Sequence, residues 1–147
     1  MQLSGKVAVI TGAGSGIGKA AALRLASEGA KIAAIELLPE RAQAIADEIT
    51  SNGGEALAIP GNVADADSMQ QAMAQAAAHW GQIDIVFANA GINGVWAPIE
   101  ELTPEEWNRT IQVNLNGAFF TVKYAVPFLK RQGGSIIITS SINGTRA

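Results

Sequence analysis

The apolar positions of the chain fall into two alternating kinds of run. Short stretches rich in β-branched and small apolar residues occur at 6–10, 31–36, 55–59, 83–88 and 135–139. Near-continuous apolar runs of this length predict strands covered on both faces, the pattern of a parallel sheet. Between them the apolar residues recur at helical spacing. The first helical stretch, residues 16–28, ends at Gly29, a residue suited to a left-handed helix terminus. The second begins near Pro39 and stops at Asn52-Gly53-Gly54. The third runs from about residue 65 to Trp80 and ends at Gly81, with Asp65 and Asp67 as caps at its start rather than an acid/base pair. The fourth opens with Thr103, Pro104 and Glu106, the elements of a capping box with proline in the first turn. It continues towards Gly133, and Pro127 inside it, which lacks a backbone donor, predicts a kink. Trp107, at helical spacing, reads as core packing.

Strands and helices in strict alternation require right-handed crossovers, hence an α/β, doubly wound parallel sheet. A length of 147 residues suits one domain. The sequence stops at SSINGTRA, just past the fifth strand, where another crossover helix is expected, so these residues read as the front part of something longer.

Composition narrows the function. No apolar run reaches the length of a membrane span, and MQLSGK leads straight into the first strand without a signal peptide. The chain has no cysteine, which excludes disulfides, thiolate metal sites and a cysteine nucleophile and leaves a cytoplasmic setting as the default. A net charge of −3, spread along the sequence, offers no basic footprint for nucleic acid. His79, beside Trp80 at the end of the third helix, has no second ligand near it in sequence and reads as a surface or capping residue; no metal is expected.

Candidate chemistry starts at VAVITGAGSGIGKA, residues 7–20. A P-loop NTPase is disfavoured: the position for its first glycine is Ala13, and Ala20 stands where the Mg²⁺-holding hydroxyl belongs. The standard dinucleotide fingerprint counted from Gly12 would put its third glycine at Ile17. What remains is Thr11-Gly12, three residues, Gly16, Ile17 and Gly18. Gly12 permits a tight exit from the strand, Gly14 and Gly16 let backbone amides approach a pyrophosphate, and Ser15 can add a hydroxyl donor. Gly18 lets the helix pack close to the sheet. The bland alternative is an ordinary glycine-rich turn; its place between a buried strand and a helix favours the phosphate role.

This spacing resembles the short-chain dehydrogenase/reductase family, and further stretches agree in order. Asn89-Ala90-Gly91 follows the fourth strand, VNLNGAF contains Asn114, and GSIIITSS ends in Ser141. The resemblance covers essentially the whole chain. It implies a three-layer Rossmann-like sheet of order 3-2-1-4-5, here ending after the fifth strand, with residues 1–147 as an incomplete NAD-binding domain. The cofactor would lie between strands one and four, where the winding reverses. The glycine loop from Gly12 to Gly18, Ile17 included, and Asn89, Ala90 and Gly91 would contact it, Asn89 mainly by tying the central strands together. Glu36, at the end of the second strand, can accept from both adenosine ribose hydroxyls and would repel a 2′-phosphate. Ser15 and Leu37 stand where NADP-preferring members tend to carry a cation, and Arg41 lies about a helical turn on. The alternative for Glu36 is a solvated strand-end carboxylate; with the loop in place NAD is expected. Asn62-Val63 stands where the family has Asp-Val beside the adenine; the asparagine can still accept from the adenine amino group, without charge assistance.

The family reaction transfers hydride between a nicotinamide and a carbonyl, with a tyrosine as acid/base, a lysine one turn later and a serine orienting the carbonyl. The resemblance makes Ser141 that serine, since Ile142-Asn143-Gly144 follows it, Ser140 a cofactor-side neighbour, and Asn114 the residue that holds a relay water. The tyrosine and lysine are missing: the one tyrosine is Tyr124, followed four residues on by Phe128, and it precedes the serine. It reads as a structural residue of the fourth helix. Trp96, with Ile92, Asn93 and Val95, would either line a substrate pocket or anchor its loop. Two functions follow. One is the amino-terminal portion of an NAD-dependent oxidoreductase acting on a small alcohol or ketone, inactive alone and homo-oligomeric when whole, without nucleic-acid or membrane partners. The other is a non-catalytic dinucleotide-binding module or inactive fragment. The substrate is not legible.

Overall fold

A computed structural model describes residues 1–141. Strands β1 (Val7–Thr11), β2 (Lys31–Glu36), β3 (Ala56–Pro60), β4 (Ile85–Ala88) and β5 (Ser135–Ile138) form one parallel sheet of order β3-β2-β1-β4-β5. The expected order is therefore the observed one. Helices α1 (Gly16–Ser27), α2 (Pro39–Ser51), α3 (Ala66–Trp80), α4 (Pro104–Ile111) and α5 (Gly117–Leu129) make the crossovers.

The strand pleat explains the three layers. Side chains of one strand alternate between faces, so Ala8, Ile10, Ile32, Ala34 and Phe87 join Ala22, Ile45 and Ile49 of α1 and α2 in one core. Val9, Ala33, Ile35, Ile59 and Val86 join Met69, Met73, Ala125 and Leu129 of α3 and α5 in the other. Each fully buried Ile or Met contributes about 1.5–3 kcal/mol. Below the sheet, the buried Asp84 carboxylate accepts from the Val7 N–H at 2.8 Å and the Gln82 amide at 2.8 Å, and it pairs with Lys6 at 3.1 Å. This knot joins the amino ends of β1 and β4. A lone acid in the run IDIVFA was the only sequence signal for it.

The helix termini follow their residues. Asp65 accepts from the Ser68 N–H at 2.8 Å, and Gly81 closes α3 in the left-handed region. Thr103 and Glu106 form the expected reciprocal box. The Thr103 N–H, and then its hydroxyl, hold the Glu106 carboxyl below its usual range.

The helical run passes through Pro127 and continues to Leu129. A departure from α geometry lies earlier, in a π-helical turn at Gln112–Asn116 that separates α4 from α5, where one continuous helix was expected. Trp107 is not core: it is 53% exposed, on a helix without a fully buried residue. Helical spacing identifies a face, but which face meets the core depends on where the neighbouring elements lie. Tyr124, by contrast, is half-buried against the α3–α5 core, in keeping with a structural role.

Candidate functional site

The carboxyl ends of the strands border a cavity of about 1190 Å³. It opens beside β1 and β4, the point where the winding direction reverses and open α/β sheets place their ligands. Gly12, Ser15, Gly16 and Ile17 line it from the loop after β1. Glu36, Leu37, Leu38 and Arg41 line it after β2, and Gly61, Asn62 and Val63 after β3. The segment after β4 contributes Asn89, Ala90, Gly91, Ile92 and Asn93, and the helical run contributes Arg109, Gln112, Val113 and Asn114. Thr139, Ser140 and Ser141 complete it after β5. The glycine loop, the strand-end carboxylate and the serines, distant in sequence, thus share one hollow.

The glycines divide their work. Gly12 and Gly16 adopt φ of 66° and 51°, left-handed values that disfavour any other residue. Gly18 is buried, and a Cβ on it would collide with the Gly12 carbonyl and come 2.7 Å from the Asn89 side-chain nitrogen. This close approach seats α1 on the sheet. Ser15 is the N-cap of α1 yet makes no capping hydrogen bond with its side chain. Its hydroxyl and the first amides of α1 therefore suit an anionic ligand. Gly14 has a different role from the one its type suggests. Its N–H donates to the Glu36 carboxylate at 3.0 Å, and Gly14 does not line the cavity.

Glu36 is consequently a fixed group. One oxygen accepts from Gly14 and the other from the Leu37 N–H at 2.9 Å, so the carboxylate is locked at the cavity wall with spare lone pairs. Asn62 is also committed locally. Its Oδ1 accepts from the Ala64 N–H at 3.0 Å, and its own N–H donates to the Ser68 hydroxyl at 2.9 Å. The oxygen expected to face an adenine already holds a turn.

Asn89 and Thr11 form the joint between strands. The buried Thr11 hydroxyl accepts from the Asn89 and Ala90 N–H groups at 3.0 and 3.1 Å. The Asn89 amide donates to the Thr11 carbonyl at 3.1 Å and accepts from the Thr139 hydroxyl at 3.0 Å. The loop floor, β4 and the end of β5 are thereby held together. The contributions of Thr11 and Thr139 were missed in the sequence, although both sit within the motif-bearing stretches.

Asn114 stands in the π-helical turn. Its Nδ2 donates to the Ile92 carbonyl at 2.8 Å and its Oδ1 accepts from the Ile92 N–H at 2.8 Å. The reciprocal pair fixes the amide orientation and clamps the segment after β4 to the helix. Such π turns recur at functional sites because they re-aim a helical side chain. No sequence signal marks this one.

Ser141 and Ser140 border the cavity, and Ser141 is exposed. The residues expected to form the turn after Ser141, Ile142-Asn143-Gly144, lie outside the described residues. Trp96 is 86% exposed and borders a shallower hollow with Asn93, Val95, Ala97 and Pro98; it does not anchor its loop by packing. His79 sits edge-on to Trp80, ring centroids 4.6 Å apart, in the last turn of α3. Among the described residues no cluster of three or more His, Asp or Glu could hold a metal ion, and no helix is long and apolar enough to cross a membrane.

The residues present fit a dinucleotide: a glycine loop opening a helix, a carboxylate at the end of β2 and a large cleft at the topological switch. Comparison with known proteins agrees. The chain is 44% identical over 144 residues to a cyclohexanol dehydrogenase of Acinetobacter sp. (strain SE19), covering 97% of this chain and 57% of that protein. It is 44% identical over 141 residues to a versicolorin reductase of Emericella nidulans, covering 95% and 53%. Among solved structures, a 3-ketoacyl-ACP reductase from Sinorhizobium meliloti 1021 superposes with a TM-score of 0.93 at 51% identity, covering 96% of this chain and 56% of that one. An NAD⁺-bound xylitol dehydrogenase superposes at 0.96 with 30% identity, covering 100% and 57%. The chain thus spans about half the length of the curated relatives it matches. The model of the short chain dehydrogenase family matches residues 6–147, and the chain belongs to that family.

Proposed function

We propose that these residues are the NAD-binding portion of an oxidoreductase that interconverts a secondary alcohol and a ketone by hydride transfer. The observation that carries this is the shared cavity, in which the glycine loop, Glu36 and Ser141 meet. Residues 1–147 would form one incomplete Rossmann-like domain. A bound nicotinamide supplies or takes the hydride. Gly12, Gly16, Ile17 and the Ser15 hydroxyl would hold the pyrophosphate, with Gly14 and Gly18 shaping the loop. Glu36 would accept from the adenosine ribose, and its charge would disfavour a 2′-phosphate. Asn62 and Val63 would flank the adenine, and Asn89, Ala90 and Gly91 would form the floor.

For the chemical step, Ser141 would orient the carbonyl oxygen and Asn114 would help to order a proton-relay water. With both bonds to Ile92 in place, the Asn114 amide retains one N–H and one acceptor lone pair for that water. The acid/base tyrosine and its lysine are not supplied by these residues, since Tyr124 is followed by Phe128 rather than lysine four positions on. Turnover therefore needs a Tyr-x-x-x-Lys from beyond Ala147. Relatives named for a cyclic alcohol and for ketone-containing substrates support the reaction class. A cytoplasmic setting and a homo-oligomeric parent complete the reading.

Titration calorimetry with NAD and NADP tests the cofactor, and NADH formation with cyclohexanol as trial substrate tests turnover. The chain should bind NAD more tightly than NADP and form no NADH. A chain continuing through Tyr-x-x-x-Lys should bind equally and show alcohol-dependent reduction. Tighter NADP binding would overturn the cofactor assignment. Inactivity of the longer chain across a panel of secondary alcohols and ketones would favour a non-catalytic dinucleotide-binding module.

A further inference from the structure

We propose that Asn93-Gly94 is a site of spontaneous covalent modification, where intramolecular deamidation writes a carboxylate into the cavity wall. The modification itself is independent of the nucleotide reading above; its effect on a bound dinucleotide rests on that reading.

The sequence holds four Asn-Gly pairs, at 52–53, 93–94, 116–117 and 143–144, the last outside the described residues. A glycine after asparagine leaves the backbone nitrogen unshielded by a side chain. Deamidation needs that nitrogen free, because it is the attacking atom. At two of the described pairs it is engaged. The Gly53 N–H donates to the Thr50 carbonyl at 2.9 Å. Gly117 is buried, and its N–H donates to the Gln112 carbonyl within the helical run. Asn93 differs: it is exposed, in the irregular segment between β4 and α4. Among the described residues neither its side chain nor the Gly94 N–H makes a hydrogen bond.

Packing keeps the reactive pair in place. Gly94 has a φ of 72°, and a Cβ on it would lie 2.6 Å from Thr110 Oγ1 on α4. Only glycine fits there. In the reaction the deprotonated Gly94 nitrogen attacks Asn93 Cγ. A C–N bond forms, the Cγ–Nδ2 bond breaks, and ammonia leaves a cyclic succinimide. Water then opens the ring at either carbonyl, giving aspartate or isoaspartate.

The product lies where charge matters. Among the described residues Asn93 is the one shared by the large cavity and the shallower hollow around Trp96. A carboxylate there opposes an anionic ligand. The isoaspartyl form also adds a backbone methylene directly after Ile92, whose N–H and carbonyl are both held by Asn114.

The native chain is incubated in mildly alkaline and mildly acidic buffer, folded and in urea. Peptide mapping by tandem mass spectrometry follows each asparagine, and an isoaspartyl methyltransferase detects the rearranged product. In the folded chain Asn93 should convert on the order of tenfold faster than Asn52 or Asn116, whose glycine amides must first be released. The rate should rise with pH, and urea should bring the three sites together. Conversion at Asn93 no faster than at Asn52, or an order that persists in urea, would overturn the proposal.

NADH, charged only on its phosphates, is titrated calorimetrically against Asn93→Asp and Asn93→Gln. The Asn93→Asp variant should bind about two- to fivefold more weakly than Asn93→Gln, the range of an exposed charge, with the gap closing as salt is raised. Equal affinities would sink the effect on the ligand. Failure of the native chain to bind NADH would defeat the nucleotide reading, while the modification stands or falls by the mass spectra.

Discussion

Single side chains in this site hold one another rather than pointing freely into a cleft. Thr11 is the clearest case: one buried hydroxyl receives the N–H groups of both Asn89 and Ala90. Valine has nearly the same shape but no acceptor. Thr11→Val should therefore destabilise the fold by about 1–3 kcal/mol for each donor left unpaired, whereas Thr11→Ser should retain most of the stability. Urea unfolding of the two variants checks this, and equal losses would mean that packing of the methyl, not the hydroxyl, matters. The same residue scale shows where sequence was informative. Gly12, Gly16 and Gly18 were legible because a strand-to-helix turn has few solutions and each demands a missing Cβ. The engagement of Glu36 with Gly14 was not legible, since it depends on the register that sets β2 beside β1.

At the scale of elements, the helical run after Thr103 is the instructive one. Its start was encoded locally, because a capping box lies within four residues. Its irregular middle was not. The π turn brings Asn114 opposite Ile92, 22 positions earlier, and two hydrogen bonds join helix to loop. Asn114→Ala should release the segment from Gly91 onward while leaving the sheet intact. Hydrogen exchange provides the measurement: the Ile92 amide should exchange on the order of tenfold faster or more, as expected for loss of a bond worth about 1–1.5 kcal/mol. Amides of β1 and β2 should be unaffected. Uniform acceleration across the sheet would instead show that Asn114 supports the whole fold.

Across the whole molecule, burial is uneven. β1 and β2 are nearly sealed between the two helical layers, whereas all four residues of β5 are exposed. In this strand Ile137 is 50% exposed and Ile138 54%. β5 pairs with β4 on one side and has no strand partner on the other among the described residues. An apolar edge of this kind templates association. The chain should self-associate as concentration rises, and Ile137→Lys should suppress this, because an edge lysine is costly to bury in a strand pair. Light scattering over a concentration series checks it; an unchanged profile would place the association elsewhere.

The sequence by itself determined the alternation of strand and helix, the helix caps, the glycine loop and, through the family resemblance, the strand order. These features follow from short-range periodicity or from motifs read within a few residues. Tertiary structure alone decided which polar groups are already engaged. Asn114 is spent on Ile92, and one oxygen of Glu36 on the Gly14 amide. It also turned Trp107 outward and put a π-helical turn at Gln112–Asn116. The reason is physical. Propensity and spacing constrain what a segment becomes, whereas the partner of a side chain is set by how separate segments pack.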